Sequence, residues 1–436
     1  MSAADAGDGP SCRGVLRRVG RAVGVLLAAV TAVVVAATTF VLVAAWTTSV
    51  PTGALLALLL LAGSCYALTW LLGRNLRRRS RRLLAGGNTV AVVATVTLLA
   101  AATVFRPAAH PYVAASPTAA TRYWDLPNGT RIAYTRTAAA ATAPAGRSPV
   151  VFLHGGPGVP GEPGGAVLSG PDGLPQAGFD VYVYDQVGSG LSTRRDDARD
   201  YTVQRHVDDL EAIRRQIGAD KMILIGHSWG STLAAAYVAT HPDRVEKVVY
   251  EAPGGLTGEI APLAPGADER RTPRQRQIEA ALISPRVITA FLLGGRNPEA
   301  ARQLMPDREA DGLNSAFFPA SPSPVCDPAA EVPTPPGTGF WANVATNNSL
   351  RSWDPRPALR TNRTPALVIR PECDYISWET TRSYREAMPQ ATLVYLRDAG
   401  HVVQLDKPAE LLDIVRAFLL DRPLPLPAYA AQEPPR

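Results

Sequence analysis

The sequence predicts an α/β fold: a mainly parallel sheet flanked by helices, carrying an inserted helical cap and preceded by N-terminal transmembrane helices. Three observations point there. Charged residues are missing from long stretches of the first 105 positions. Beyond residue 122, short apolar runs alternate with helical patterns, as in sheets covered on both faces. The segment from Pro253 to Asn362 interrupts that alternation with proline and charge but no clear buried strand.

The first element is a basic tail, residues 1–21, with Arg13, Arg17, Arg18 and Arg21 against Asp5 and Asp8. From Ala22 to Gly73 no residue is charged, and the turn-like TTSVPTG at 47–53 divides the run. A helix needs about 20 apolar residues to cross the hydrocarbon core, which predicts spans near 22–46 and 53–73. A third uncharged run predicts a span over 83–105, with Gly86, Gly87 and Asn88 as its weakest stretch. The tail and the second loop, RNLRRRSRR at 74–82, are basic, whereas the first loop carries no charge. The positive-inside tendency then places both basic segments in the cytoplasm, and everything after Phe105 outside the cell membrane. A cleavable signal peptide would account for the first run but not for the two that follow.

The formal charge of +6 belongs to this part of the chain. Residues 1–110 carry a net +9, which leaves −3 for everything after them and excludes nucleic acid as a partner of the main domain. The partners expected are the lipid bilayer, through the N-terminal helices, and a small-molecule or peptide substrate.

Residues 106–121, small and proline-containing, read as a linker. Strand-like runs follow in order: RYWDL, TRIAYTR, SPVVFLH, FDVYVYD, KMILIGH, VEKVVYE, PALVIRP and ATLVYLR. Several are continuously apolar, the mark of strands buried on both faces. Helical patterns lie between them at 203–218 and 231–242, and another at 408–420 closes the domain. The globular domain therefore spans 122–252 and 363–425. The insertion, 253–362, follows VEKVVYE, where a cap would lie over the carboxyl ends of the strands. Cys326 and Cys373 fall in this exterior part, and an oxidising compartment would allow them to pair; sequence leaves a disulfide and two separate thiols both open.

The chemistry begins at GHSWG, residues 226–230, which fits Gly-x-Ser-x-Gly between the strand KMILI and a helix. A sharp strand-to-helix turn exposes the serine hydroxyl, and flanking glycines remove side chains that would collide. Ser228 is thus the expected nucleophile. It needs a base, and the base an orienting acid, in the chain order serine, acid, histidine. His241 lies at the far end of the helix that Ser228 begins, so His401, in the loop DAGHVVQ after the last strand, is the expected base. Asp374, in PECDYIS, is the expected acid, with Glu372 the main competitor and Asp398 too near His401 in sequence. The developing oxyanion needs pre-aimed N–H donors. Trp229 supplies one; HGGPG at 154–158, after the third strand, supplies the other from Gly156, with Gly155 the next choice. His154 is expected to brace this loop, and Asp185 and Ser189 to tie down their own turn. The Trp229 ring either packs against substrate or fills the cap interface. No HExxH or CxxC pattern occurs, so neither a metal nor another cofactor is expected.

HGGPG, DQVGSGLS at 185–192, GHSWGSTLAAAYVATHPDRV and the acid and histidine loops together resemble the α/β-hydrolase proline iminopeptidases and their tripeptidyl-aminopeptidase relatives. The resemblance covers roughly residues 122–253 and 363–420. It implies an α/β-hydrolase fold and metal-free hydrolysis from a free N-terminus, with proline or a similar residue released through an acyl-enzyme. The chain departs from that pattern at Val187, where arginine is usual, and at His227, where glycine is common. The cap glutamates that recognise the substrate amine do not align onto 253–362. Glu251, Glu259, Glu269 and Glu279 are available in or beside the cap, Glu251 being the substrate-binding candidate and surface charge the simpler reading of each. An esterase or lipase-like hydrolase on the same triad is the alternative, and a non-catalytic receptor of the same fold the rival outside enzymes. Epoxide hydrolase or dehalogenase chemistry is disfavoured, because serine stands where those enzymes use aspartate.

Overall fold

A computed structural model describes residues 12–161, 163–258, 262–330 and 332–435. In chain order its α-helices are α1 (Cys12–Thr47), α2 (Val50–Leu72), α3 (Arg78–Thr103), α4 (Pro163–Ser169), α5 (Val203–Ile217), α6 (Trp229–Thr240), α7 (Pro273–Leu282), α8 (Pro285–Gly294), α9 (Pro298–Leu304), α10 (Asp307–Phe317), α11 (Phe340–Ser349), α12 (Arg356–Thr361), α13 (Trp378–Ala387), α14 (Val403–Asp406) and α15 (Pro408–Leu419). The chain divides into two compact units. One holds the stretch through Pro107 together with Ser284–Leu304; the other holds Ala108–Ile283 and Met305–Arg436.

In the first unit α1, α2 and α3 are each long and apolar enough to cross a membrane. α1 and α3 start several residues earlier than the uncharged runs suggest. Arginine is a good helix former, so charge marks where the apolar span begins without ending the helix. α2 also starts early, because Ser49 caps it by accepting from Thr52 N and Pro51 stands in its first turn. Gly53 lets α1 and α2 approach closely: a Cβ there would lie 2.8 Å from Ala44 Cβ and 2.9 Å from Phe40 O. Gly86, Gly87 and Asn88 run within α3 unbroken, and Asn88 Nδ2 donates to Thr69 Oγ1 at 2.9 Å, satisfying two polar groups inside an apolar bundle. Of the tail 1–21, residues 1–11 lie outside the described residues.

The second unit is built on an eight-stranded sheet. Its strands are β1 (Arg122–Asp125), β2 (Arg131–Thr137), β3 (Val150–Leu153), β4 (Val181–Tyr184), β5 (Met222–His227), β6 (Val245–Glu251), β7 (Ala366–Pro371) and β8 (Thr392–Leu396), in the order β1-β2-β4-β3-β5-β6-β7-β8. β1, β2 and β4 pair antiparallel, and every other pairing is parallel. All eight are strands expected from the sequence. The residues of β3, β5 and β7 are buried throughout, which is why these strands read as continuous apolar runs. A core of Val150, Phe152, Ile223, Ile225, Val249, Leu367 and Ile369 joins α15 through Leu411, Ile414 and Val415. Residues 108–113 lie against the insertion, with Gly337 N donating to Val113 O at 2.7 Å and Ala108 N to Glu309 Oε1 at 3.0 Å.

Candidate active site

Parallel strands end together, so the residues that follow them share one edge of the sheet. His154 follows β3, Ser228 follows β5, Glu251 ends β6, Asp374 follows β7 and His401 follows β8.

Ser228 occupies the turn between β5 and α6 with φ 54° and ψ −120°. A positive φ is strained for a non-glycine residue and holds only where its surroundings dictate it. Ser228 N donates to Glu251 O at 3.0 Å, and Ser228 O accepts from Gly254 N at 3.0 Å. A Cβ at Gly226 would collide with the backbone of Gly230, and one at Gly230 with that of Leu153. The motif's glycines are therefore required by backbone packing around the serine.

His401 Nδ1 lies 2.8 Å from Asp374 Oδ1. Both side chains are buried. Asp374 also accepts from Ile376 N at 2.9 Å, and Arg370 Nη1 approaches its second oxygen at 3.3 Å while donating to Ile376 O at 2.8 Å. Burial pushes the Asp374 carboxyl up, but His401, Arg370 and the Ile376 N–H together outweigh it and hold the group below the usual carboxylate range. Burial pushes His401 down, and the opposing charge of Asp374 only partly offsets this. Of the competing acids, Glu372 accepts from Asp398 N at 2.9 Å and faces Arg397, while Asp398 is exposed at a tight turn with φ 52°. His241 follows the far end of α6, its ring against Tyr237.

Gly156 has φ 110°, and a Cβ there would crowd Gly158 N and Val159 N at 2.8 Å, so this bend of HGGPG demands glycine. The bend is braced from behind. Gln186 N donates to His154 Nε2 at 2.9 Å, which leaves Nδ1 to donate to Gly155 O at 2.9 Å. Burial lowers the His154 pKa to about 4, so the neutral ring that this arrangement requires is the stable one. Gln186 Nε2 donates to His154 O, and its Oε1 accepts from Trp229 Nε1, both at 2.8 Å. One glutamine thus joins both loops expected to hold the oxyanion. Ser189 donates to Gln186 O and Asp185 accepts from Leu191 N, which ties down their own turn. Trp229 opens α6, in the first turn, where N–H groups have no carbonyl partner within the helix.

Two expectations for substrate contact are corrected by this geometry. The Trp229 ring is buried, bonded to Gln186 and edge-on to His206 at 5.5 Å, rather than facing the cavity. Glu251 is fully buried beneath the serine turn, so neither a surface charge nor a substrate contact describes it. Its carboxylate accepts from Gln404 Nε2 at 2.6 and 2.7 Å and lies 3.4 Å from His227 Nδ1. Glu269 is exposed, Glu279 accepts from Arg271 Nη2 at 2.6 Å, and Glu259 lies outside the described residues.

Ser228 and His401 open onto a cavity of about 400 Å³ together with Gly156. Val159, Phe317, Phe318, Val332 and Leu405 line it with several prolines, and Asn314, Asn343, Thr334 and Tyr375 add uncharged polar groups. Tyr375 and His227 flank the His401 ring, with centroids at 4.3 and 4.9 Å. The insertion is fastened directly to this site. Cys326 and Cys373 form a disulfide next to Asp374, and Val402 N, beside His401, donates to Pro324 O at 2.8 Å.

Residues 148–408, more than half of the chain, match the family model described as alpha/beta hydrolase fold, and the chain belongs to that family. It is an enzyme of the hydrolase type that acts on small substrates, joined to apolar N-terminal helices fit to span a membrane. Among its relatives, a proline iminopeptidase of Heyndrickxia coagulans is 26% identical over 294 residues, covering 63% of this chain and 91% of that protein. A proline iminopeptidase of Neisseria gonorrhoeae is 42% identical over 101 residues, 23% of this chain and only 31% of that protein. Among solved structures, the enol-lactonase from Burkholderia xenovorans LB400 has a TM-score of 0.45 at 19% identity, over 69% of this chain and 100% of that one. A proline iminopeptidase of Mycobacterium smegmatis has a TM-score of 0.44 at 22% identity, over 69% and 98%.

Proposed function

We propose that this protein is a membrane-anchored serine hydrolase that cleaves carboxylic esters with a small apolar acyl group, its catalytic unit facing the cell exterior. The observation that carries this reading is the cavity shared by Ser228 and His401, whose described lining is apolar or uncharged. Its volume of about 400 Å³ suits a small ligand.

In the proposed reaction Ser228 Oγ attacks the ester carbonyl carbon while His401 Nε2 takes its proton. Asp374 holds the Nδ1–H and stabilises the imidazolium. The tetrahedral oxyanion is received by the N–H groups of Trp229 and Gly156, with Gly155 the nearest substitute for the latter; one such donor is worth about 3 kcal/mol. His401 returns the proton to the departing alcohol oxygen. It then deprotonates a water that attacks the acyl carbon, and Ser228 leaves with its hydrogen restored.

The second reading is an aminopeptidase of the proline-iminopeptidase kind. It is supported by HGGPG and GHSWG and by the relative from Heyndrickxia coagulans, whose length the chain nearly covers. It needs an anionic group for the substrate's ammonium, and Glu251 is already engaged by Gln404.

The test compares short p-nitrophenyl esters with Pro-, Ala- and N-blocked-Pro-naphthylamides, using the full chain and Ser228→Ala. The ester reading expects kcat/KM on the esters at least about 100-fold above the naphthylamides, corresponding to roughly 3 kcal/mol of transition-state discrimination, and none with Ser228→Ala. Preference for free-amine naphthylamides over the blocked one selects the aminopeptidase. Failure of an active-site serine probe to label the wild type rejects both.

A further inference from the structure

We infer that α8 is a membrane element: a short helix of the insertion that lies in the outer part of the bilayer, with its uncovered face against lipid acyl chains.

α8 is apolar on every side. Val287, Ala290 and Leu293 are buried, while Ile288, Phe291 and Leu292 are 49%, 46% and 48% exposed. A helix hydrophobic all round is a buried or a membrane helix, and large apolar patches on soluble surfaces mark contact sites. Its one charged side chain, Arg286, is buried, donating to Val104 O at 2.8 Å and to Leu304 O at 2.5 Å. At ten residues it is too short to span and has the length of a re-entrant or interfacial segment.

Lipid is the occupant because this face continues that of α1–α3, which are long and apolar enough to cross a membrane. α8 and α9 are tied to the ends of the spans. Asn297 Nδ2 donates to Ala45 O at 2.8 Å and to Thr48 Oγ1 at 2.9 Å, and Gln303 Nε2 donates to Thr48 O at 2.9 Å. Thr289 and Leu292 share an apolar cavity of about 350 Å³ with Phe40, Ala57, Ala100 and Phe105, all on or just beyond α1–α3. α8 therefore lies alongside the last turns of α1 and α3 and the first turns of α2, helices whose outward leucines, such as Leu59 and Leu98, are likewise exposed. Arg296, just past α8, is exposed and can reach the headgroups. The inference is independent of which acyl bond the enzyme cleaves.

The test places a nitroxide at Ile288→Cys, Phe291→Cys and Leu292→Cys, one at a time, in the full chain in phosphatidylcholine–phosphatidylglycerol vesicles without reductant. Spectra are referenced to the unsubstituted protein taken through the same labelling. Leu59→Cys marks lipid and Arg397→Cys marks water. The expected result is collision with oxygen at least about threefold more frequent than with an aqueous nickel chelate, as at Leu59→Cys. Nickel collision matching Arg397→Cys would overturn the inference, because the face would be wet. Low collision with both reagents would overturn it equally, because protein, such as a second copy of this chain, would cover the face.

Discussion

In the proposed reaction His401 must be neutral to accept the serine proton, and two opposing influences decide when it is. Burial lowers its pKa; Asp374, 2.8 Å away, raises it, and burial prevails. A base whose pKa is lowered keeps working as the solution is acidified, so the acid limb of kcat/KM is expected below pH 6.5. A limb centred above that value would contradict the arrangement. Asp374→Asn removes the influence that raises the pKa and misplaces the ring tautomer; kcat is expected to fall about 10⁴-fold. Ser228, Asp374 and His401 could be singled out as candidates from sequence because motif and chain order restrict them. Arg370 and Gln186 could not. Arg370 acts on Asp374 only because β7 turns sharply after it, and Gln186 gains these three hydrogen bonds from two residues, His154 and Trp229, that follow different strands. The one available signal for Gln186 was its place in DQVGSGLS, whose spacing already marked the loop.

At the scale of elements, the insertion does more than cover the cavity. Its Pro324–Cys326 segment holds the loops that carry Asp374 and His401, through the disulfide to Cys373, the bond from Val402 N, and Asp406, whose Oδ2 accepts from Cys326 N and Gly400 N at 3.1 and 2.7 Å. The bridge closes a sequence separation of 47 residues. By loop-closure entropy such a link is worth about 4 kcal/mol. Cys326→Ser with Cys373→Ser is expected to lower the thermal unfolding temperature of the second unit, and reductant to do the same to the wild type but not to the variant. An unchanged midpoint in both would mean that the bridge does not stabilise the fold. The pairing was undecidable from two cysteines in the sequence, since it depends on a Cα separation of 5.2 Å that only folding creates. α8 was equally hidden. Its apolar run falls inside an insertion, and nothing local says that its partner is a helix some 250 positions earlier.

For the whole molecule, the proposed orientation, with the second unit outside the cell, is supported by two independent features. Basic residues crowd the tail and the loop before α3, and the disulfide belongs to an oxidising compartment. Arg397→Cys is therefore expected to react with a membrane-impermeant maleimide on intact cells, and Arg79→Cys only after permeabilisation. The reverse pattern would invert the topology and remove the compartment in which the bridge persists.

Sequence alone determined the eight strands and the three long apolar helices, and it singled out Ser228 and His401 as the candidate nucleophile and base. Those features depend on local periodicity, on uncharged length and on the spacing of one motif. Tertiary structure decided what depends on groups distant in sequence meeting. It turned the Trp229 ring into Gln186, buried Glu251 under the serine turn, joined Cys326 to Cys373 and placed α8 among the spans. A side chain's partner is set by packing across the fold, and packing carries no signature in the few residues on either side of it.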